Sequence, residues 1–172
     1  MMDDEPFESD PDEFASRLAG SHKASGPSLK ARAIDFLSRR EHSRVELQRK
    51  LQRHTDDLDA IESLLDDLER ERWLSDERFA HSLINRKAHK LGSRRIAQEL
   101  RQNGVDSDTV NLITESLRDT EFDRAFEVWD RKFGSVPADQ KEYARQCRFI
   151  LSRGFSSDVF NKILAAAKNI DQ

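Results

Sequence analysis

From Ser28 onward, apolar residues return at helical spacing in three successive rounds separated by short polar turns. In the first round, Ala33, Ile34 and Leu37 mark one helix and Leu47 with Leu51 a short second one. Leu58, Ile61, Leu65 and Leu68 then draw a single apolar stripe along a third. The second round repeats this with Phe79, Leu83 and Ile84, then Ile96 and Leu100, then Val110, Ile113 and Leu117. The third sets Phe122, Phe126, Trp129 and Phe133 on one helix face, followed by Tyr143, Cys147 and Ile150 and by Phe160, Ile163, Leu164 and Ala167. No stretch alternates with period two, so strands are not expected.

The turns between these runs carry their own chemistry. Asn103-Gly104-Val105-Asp106-Ser107-Asp108 and Arg153-Gly154-Phe155-Ser156-Ser157-Asp158 share one plan. A Gly takes the left-handed position after a helix, an apolar residue folds back on that helix, and Asp or Ser caps the next. Ser43-Arg-Val-Glu46 has the capping-box pattern, Ser75 or Asp76 caps the next round, and Gly92-Ser93 makes a turn within it. The pattern therefore predicts an all-α fold of three tandem three-helix, helix-turn-helix-like repeats in an elongated, curved array. Residues 1–27 are expected to form an acidic, mobile tail, and the repeats to occupy 28–73, 74–119 and 120–172. Units of this size bury too little surface to stand alone and must lean on their neighbours. Such an array offers an extended binding surface rather than one catalytic cleft.

Charge changes the picture more than composition does. Of 172 residues 36 % are charged, with a formal net charge of −4. Residues 1–28 hold seven acids against Arg17 and Lys23, so the array itself is slightly positive and internally segregated. Residues 30–53 carry eight Lys or Arg and three acids, whereas 56–71 carry eight acids and one Arg. The acidic stretch is expected to be a solvated helix face with Asp56 and Asp57 at a helix N-terminus.

The corner between the first and second helices is basic in every round. It holds Arg39, Arg40 and Arg44; then Lys87, Lys90, Arg94 and Arg95; then Arg131 and Lys132, with Lys141, Arg145, Arg148 and Arg153 further on. Stacked with a small rotation, these corners would line one face and follow a phosphate backbone or an acidic groove. Base reading by a helix-turn-helix would need polar side chains on the third helices. Those helices are acidic or neutral here, so contacts to phosphate are expected instead.

Other chemistries lack their residues. There is no phosphate-binding Gly loop, no pair of His at metal-chelating spacing among His22, His42, His54, His81 and His89, and only one Cys. Cys147, Trp73 and Trp129 are expected in the core. No cofactor, metal or catalytic activity is expected. A lone Cys, an acidic start and the lack of a long apolar run point to a cytoplasmic protein without a membrane segment.

Several segments together resemble one family. Arg39-Arg40-Glu41-His42-Ser43-Arg44-Val45-Glu46-Leu47, with Lys50-Leu51, is similar to the opening signature of RecX regulatory proteins. Trp73-Leu74-Ser75-Asp76-Glu77-Arg78-Phe79-Ala80, Leu91-Gly92-Ser93-Arg94-Arg95-Ile96, Glu99-Leu100, Asn103-Gly104-Val105 and Arg148-Phe149-Ile150-Leu151-Ser152-Arg153-Gly154-Phe155 continue it in order. Arg72-Trp73 stands where the family usually has a Gly, and the acidic tail is not shared. The resemblance implies tandem three-helix repeats that dock in the groove of the RecA–single-stranded-DNA filament. Such proteins restrain strand exchange, ATP hydrolysis and the SOS coprotease. It implies RecA and its bound strand as partners; the basic corners are expected to contact them, and the chain is expected to be a monomer. Two rival expectations stand beside it: an autonomous nucleic-acid-binding repeat protein, and a scaffold that presents an apolar face to a partner helix.

Overall fold

The structure is a computed structural model that describes residues 26–170; the expectation for the tail lies outside them. Among the described residues the chain forms nine α-helices and no strand. The first repeat holds α1 (Leu29–Arg39), α2 (Arg44–Leu51) and α3 (Leu58–Arg70). The second holds α4 (Asp76–Lys87), α5 (Ser93–Gln102) and α6 (Ser107–Ser116), and the third α7 (Arg118–Lys132), α8 (Gln140–Ser152) and α9 (Ser157–Ile170).

Most helices start where a side chain can satisfy a free amide. Ser28, Ser43, Asp57, Ser75, Asp106 and Asp139 each accept from the amide three residues on. The capping box at Ser43 is only half formed. Ser43 Oγ accepts from Glu46 N at 3.1 Å, but the Glu46 carboxylate pairs with Arg40 rather than folding back.

The apolar stripes close three separate cores. Ala33, Leu47, Leu51, Ile61, Leu65, Leu68 and Leu74 fill the first. Phe79, Leu83, Ile96, Leu100, Val110 and Ile113 lead the second, and Trp129, Ile150, Phe155, Phe160 and Ile163 the third. Full burial of a large apolar side chain stabilises by roughly 1.5–3 kcal/mol. Trp129 buries its polar edge with its hydrogen bond satisfied, because Nε1 donates to Gln146 Oε1 at 2.7 Å and Gln146 Nε2 donates to Ser135 O at 3.2 Å. Cys147 packs at the edge of the same core. Trp73 departs from expectation: it is 51 % exposed. Arg72 before it has φ of 61°, and that left-handed turn sends Leu74, not Trp73, inward.

One arrangement joins the repeats, and it is used twice. At the first junction Arg44 N, opening α2, donates to Asp76 Oδ1 of α4 at 2.8 Å. At the second, Ser93 N, opening α5, donates to Glu121 Oε1 of α7 at 2.9 Å, and Ser93 Oγ adds a bond of 2.7 Å. The start of the second helix in each of the first two repeats is thus capped by a carboxylate from the following repeat. In both cases the glycine turn of the following repeat lies against the same helix. Gly104, with φ of 79°, sits on Val45, and Gly154, with φ of 86°, sits on Arg95. The second junction is closer still, because Gly92 N donates to Arg153 O at 2.9 Å and a Cβ on Gly92 would overlap the Gly154 and Phe155 backbone. The corresponding turn of the first repeat, Arg53-His54-Thr55-Asp56, has no Gly and no left-handed residue.

An arginine locks the second junction. Arg124 Nη1 donates to Ala88 O and Leu91 O at 2.8 Å each, and Nη2 donates to Leu117 O at 3.0 Å. Burial pulls its pKa below the usual guanidinium value, against the favourable charge of Glu121. Three carbonyls and a nearby carboxylate make it a fastener, not a free cation.

Gly92→Ala should therefore lower stability by about 2 kcal/mol or more through backbone overlap at the junction. Gly134→Ala, at φ of 64° but with only ordinary contacts, should cost about 1 kcal/mol. Thermal unfolding of the two variants tests this ordering, and equal losses would mean the junction tolerates the overlap.

Candidate binding surface at the repeat junction

The basic corners do not share one fate. In the first repeat they are neutralised by the chain itself. Arg39 pairs with Asp35 at 3.0 Å, and Arg40 pairs with Glu46. Arg44 reaches across to α3, where Glu62 and Asp66 lie 2.7 Å away and Glu69 2.8 Å. Partial burial works against its charge. Hydrogen bonds to Glu62 and Asp66, with the charge of Glu69, outweigh it and raise its pKa above the usual guanidinium value. The acidic third helix is therefore more than a solvated face, because spacing of four and three residues puts three carboxylates on one side, opposite one guanidinium.

His42, inside the same corner, is 2 % exposed. Burial first, and the charge of Arg40, lower its pKa, with Glu46 opposing, so it is held neutral. Its Nδ1 lies 3.0 Å from Glu46 Oε2 but outside hydrogen-bonding geometry.

The second and third corners meet. Lys90 from the turn before α5, Arg131 and Lys132 from the end of α7, and Arg153 from the end of α8 surround a cleft of about 410 Å³ with Val128 and Phe149. Among the described residues none of these four cations has a carboxylate within 4.0 Å. Arg94 and Arg95 lie across the junction beside Leu151, Ser152 and Gly154 in a second hollow of about 360 Å³. The others lie apart or are engaged: Lys87 pairs with Glu99 at 2.5 Å, Arg145 with Glu142 at 2.8 Å, and Arg148 is exposed on α8. None of Arg39, Arg40 and Arg44 reaches the cleft.

Two cations lie outside the corners that the sequence marks. Arg101 and Arg118 join Arg94 in a groove of about 580 Å³ between the second and third repeats. Arg101 follows Arg94 by seven residues, two turns along one face of α5, and that spacing is the signal that points to it.

Known proteins share this arrangement of repeats. The first, second and third three-helix domains of RecX match residues 30–68, 75–111 and 119–164 in order. The chain belongs to the RecX family. It is 48 % identical over 140 residues to the regulatory protein RecX of Ralstonia nicotianae, covering 81 % of this chain and 88 % of that one. The regulatory protein RecX of Chromobacterium violaceum is 47 % identical over 148 residues, covering 86 % and 96 %. The fold is shared with the crystal structure of RecX from Lactobacillus salivarius, at a TM-score of 0.66 and 18 % identity over 81 % of this chain and 94 % of that one. A second RecX crystal structure matches at a TM-score of 0.68 and 20 % identity, over 91 % and 79 %.

Replacing Arg44 by Ala leaves three carboxylates facing one another on α3. The partners are mostly exposed, so the expected loss is about 1–2 kcal/mol at low salt. It should shrink in 1 M salt, where the screening length is about 3 Å. Chemical unfolding at both ionic strengths checks this; an unchanged midpoint at low salt would show that the cluster contributes nothing.

Proposed function

We propose that this chain regulates the RecA–single-stranded-DNA filament by lying along it, with the basic junction of its second and third repeats facing the strand's phosphates. The observation that carries the reading is the contrast in charge pairing. The chain satisfies Arg39, Arg40 and Arg44 internally and, among the described residues, leaves Lys90, Arg131, Lys132 and Arg153 clustered without a carboxylate. Like charges held together repel and favour a polyanion that neutralises them. Family membership supports the choice of partner, since the relatives are named regulatory proteins of the RecX type.

The mechanism needs no catalysis. A rigid array that touches several protomers blocks extension sterically, and shifts the filament's state only by contacts that differ between states. This restrains ATP hydrolysis, strand exchange and the SOS coprotease in the bacterial cytoplasm. The scaffold alternative has less support, because Trp129 is 1 % exposed and Phe122, Phe126 and Phe133, though only half-buried, pack against the third core.

The test is RecA's single-stranded-DNA-dependent ATPase. The wild-type chain is expected to inhibit it. Reversing Lys90, Arg94, Arg131 and Lys132 to Glu should raise the half-inhibitory concentration more than about tenfold, because several phosphates would then face acids instead of cations. Arg39→Glu, on the self-neutralised corner, should leave inhibition near the wild-type level. A folded four-site variant that inhibits fully removes the basic junction from the mechanism, and no inhibition by the wild-type chain removes RecA as the partner.

A further inference from the structure

The cleft at the second junction is more than a patch of charge. Arg153 lies against an aromatic ring, its guanidinium carbon 3.7 Å from the Phe149 centroid. Phe133 supports that ring edge-on, with centroids 5.1 Å apart at 82°, and Arg145 stands over Phe133 at 5.5 Å. The stack is held from behind: Arg153 O accepts the Gly92 amide at 2.9 Å, which fixes the backbone that carries the guanidinium. A planar cation on a braced ring therefore forms one wall, Val128 an apolar wall, and Lys90, Arg131 and Lys132 the charged rim.

We propose that this cleft holds one nucleotide unit, its base stacked against the Arg153–Phe149 wall and its phosphates among Lys90, Arg131 and Lys132. The size fits, since small-ligand sites occupy about 300–1,000 Å³. The chemistry fits better than a phosphate alone. A bare anion would satisfy the rim but leave Phe149, Val128 and the flat guanidinium against water. An acidic peptide has the same defect, as its carboxylates carry no planar apolar surface. A base covers that wall, and stacking on aromatic rings or guanidinium planes tolerates any base. The site therefore favours unpaired strands, whose bases are free to leave the stack, and imposes no sequence. This inference rests on the reading that the junction faces phosphate. It adds a base-dependent contact that the reading itself does not require.

The unit has two possible sources, a single strand or a free nucleotide, and the experiment separates them without RecA. Fluorescence anisotropy compares an oligothymidylate with an abasic strand of equal length. The wild-type chain should prefer the base-bearing strand by at least about fivefold, the lower end of base-stacking effects. Arg153→Lys keeps the charge and removes the plane, so the preference should fall toward unity with little change in salt dependence. Lys90→Gln with Lys132→Gln, both exposed, should instead weaken both strands and reduce the log–log salt slope by about 0.7 for each phosphate left without its lysine. Circular dichroism confirms that each variant keeps its helices.

Ligand-observed NMR with thymidine monophosphate and ATP forms the second arm. Signals that vanish in the Lys132 variant assign the cleft to a free nucleotide; signals from the strand alone assign it to single-stranded nucleic acid. Equal affinity for the two strands together with no free-nucleotide signal overturns the proposal, as does a base preference that survives Arg153→Lys unchanged. RecA ATPase inhibition by the same preparation judges the proposed function independently.

Discussion

The close approach of two backbones, Gly92 against Arg153-Gly154-Phe155, is the constraint on which the functional half of this molecule depends. Side chains cannot be inserted there without moving a repeat. The contact sets how α5 meets the turn between α8 and α9, and thereby brings Lys90 of one repeat beside Arg131, Lys132 and Arg153 of the next. Glu121 on the α5 N-terminus and Arg124 on three carbonyls fix the remaining freedom at that joint. The same logic in weaker form joins the first two repeats through Asp76 and Gly104. Three cores too small to be independent thus become one array, as expected of repeats stabilised by their interfaces.

Charge is distributed by the same folding event. Residues near in sequence part company: Arg44 of the first corner meets the acidic α3, Arg39 and Arg40 pair with Asp35 and Glu46, and Lys90 of the second corner finds Arg131 and Lys132 of the third. Surface ion pairs contribute little individually. The cluster around Arg44 is best understood as removing one corner from competition for outside anions. Four cations without a carboxylate among the described residues, Lys90, Arg131, Lys132 and Arg153, meet at one joint, where a polyanion would touch two repeats at once.

Much of this was legible in the sequence. Helical spacing located the apolar faces, the Ser and Asp caps located the helix starts, and Gly104 and Gly154 took the left-handed turns that their neighbours implied. The basic corners were visible as residues but not as pairs. Arg44 and Glu62 are eighteen positions apart, and no local rule says that one will find the other. Trp73 looked like core because of its type, and only the left-handed backbone at Arg72 turns it outward. Arg124 left no signature at all, because its partners are main-chain carbonyls that every residue supplies. Asp76 carried the opposite problem: it looked like a cap for its own helix and caps the previous repeat's instead, while Ser75 serves α4.

The central claim is that the second junction is as rigid as the cores it joins. Native-state amide hydrogen exchange at Gly92 and Ser93 tests it most directly, since both amides are bonded across the joint and to nothing within their own helix. The expected result is protection matching that of core amides such as Leu100 and Ile150, so that the junction opens only with global unfolding. Exchange at Gly92 and Ser93 as fast as in open loops, with Leu100 and Ile150 still protected, would contradict it and leave the cleft without a fixed frame.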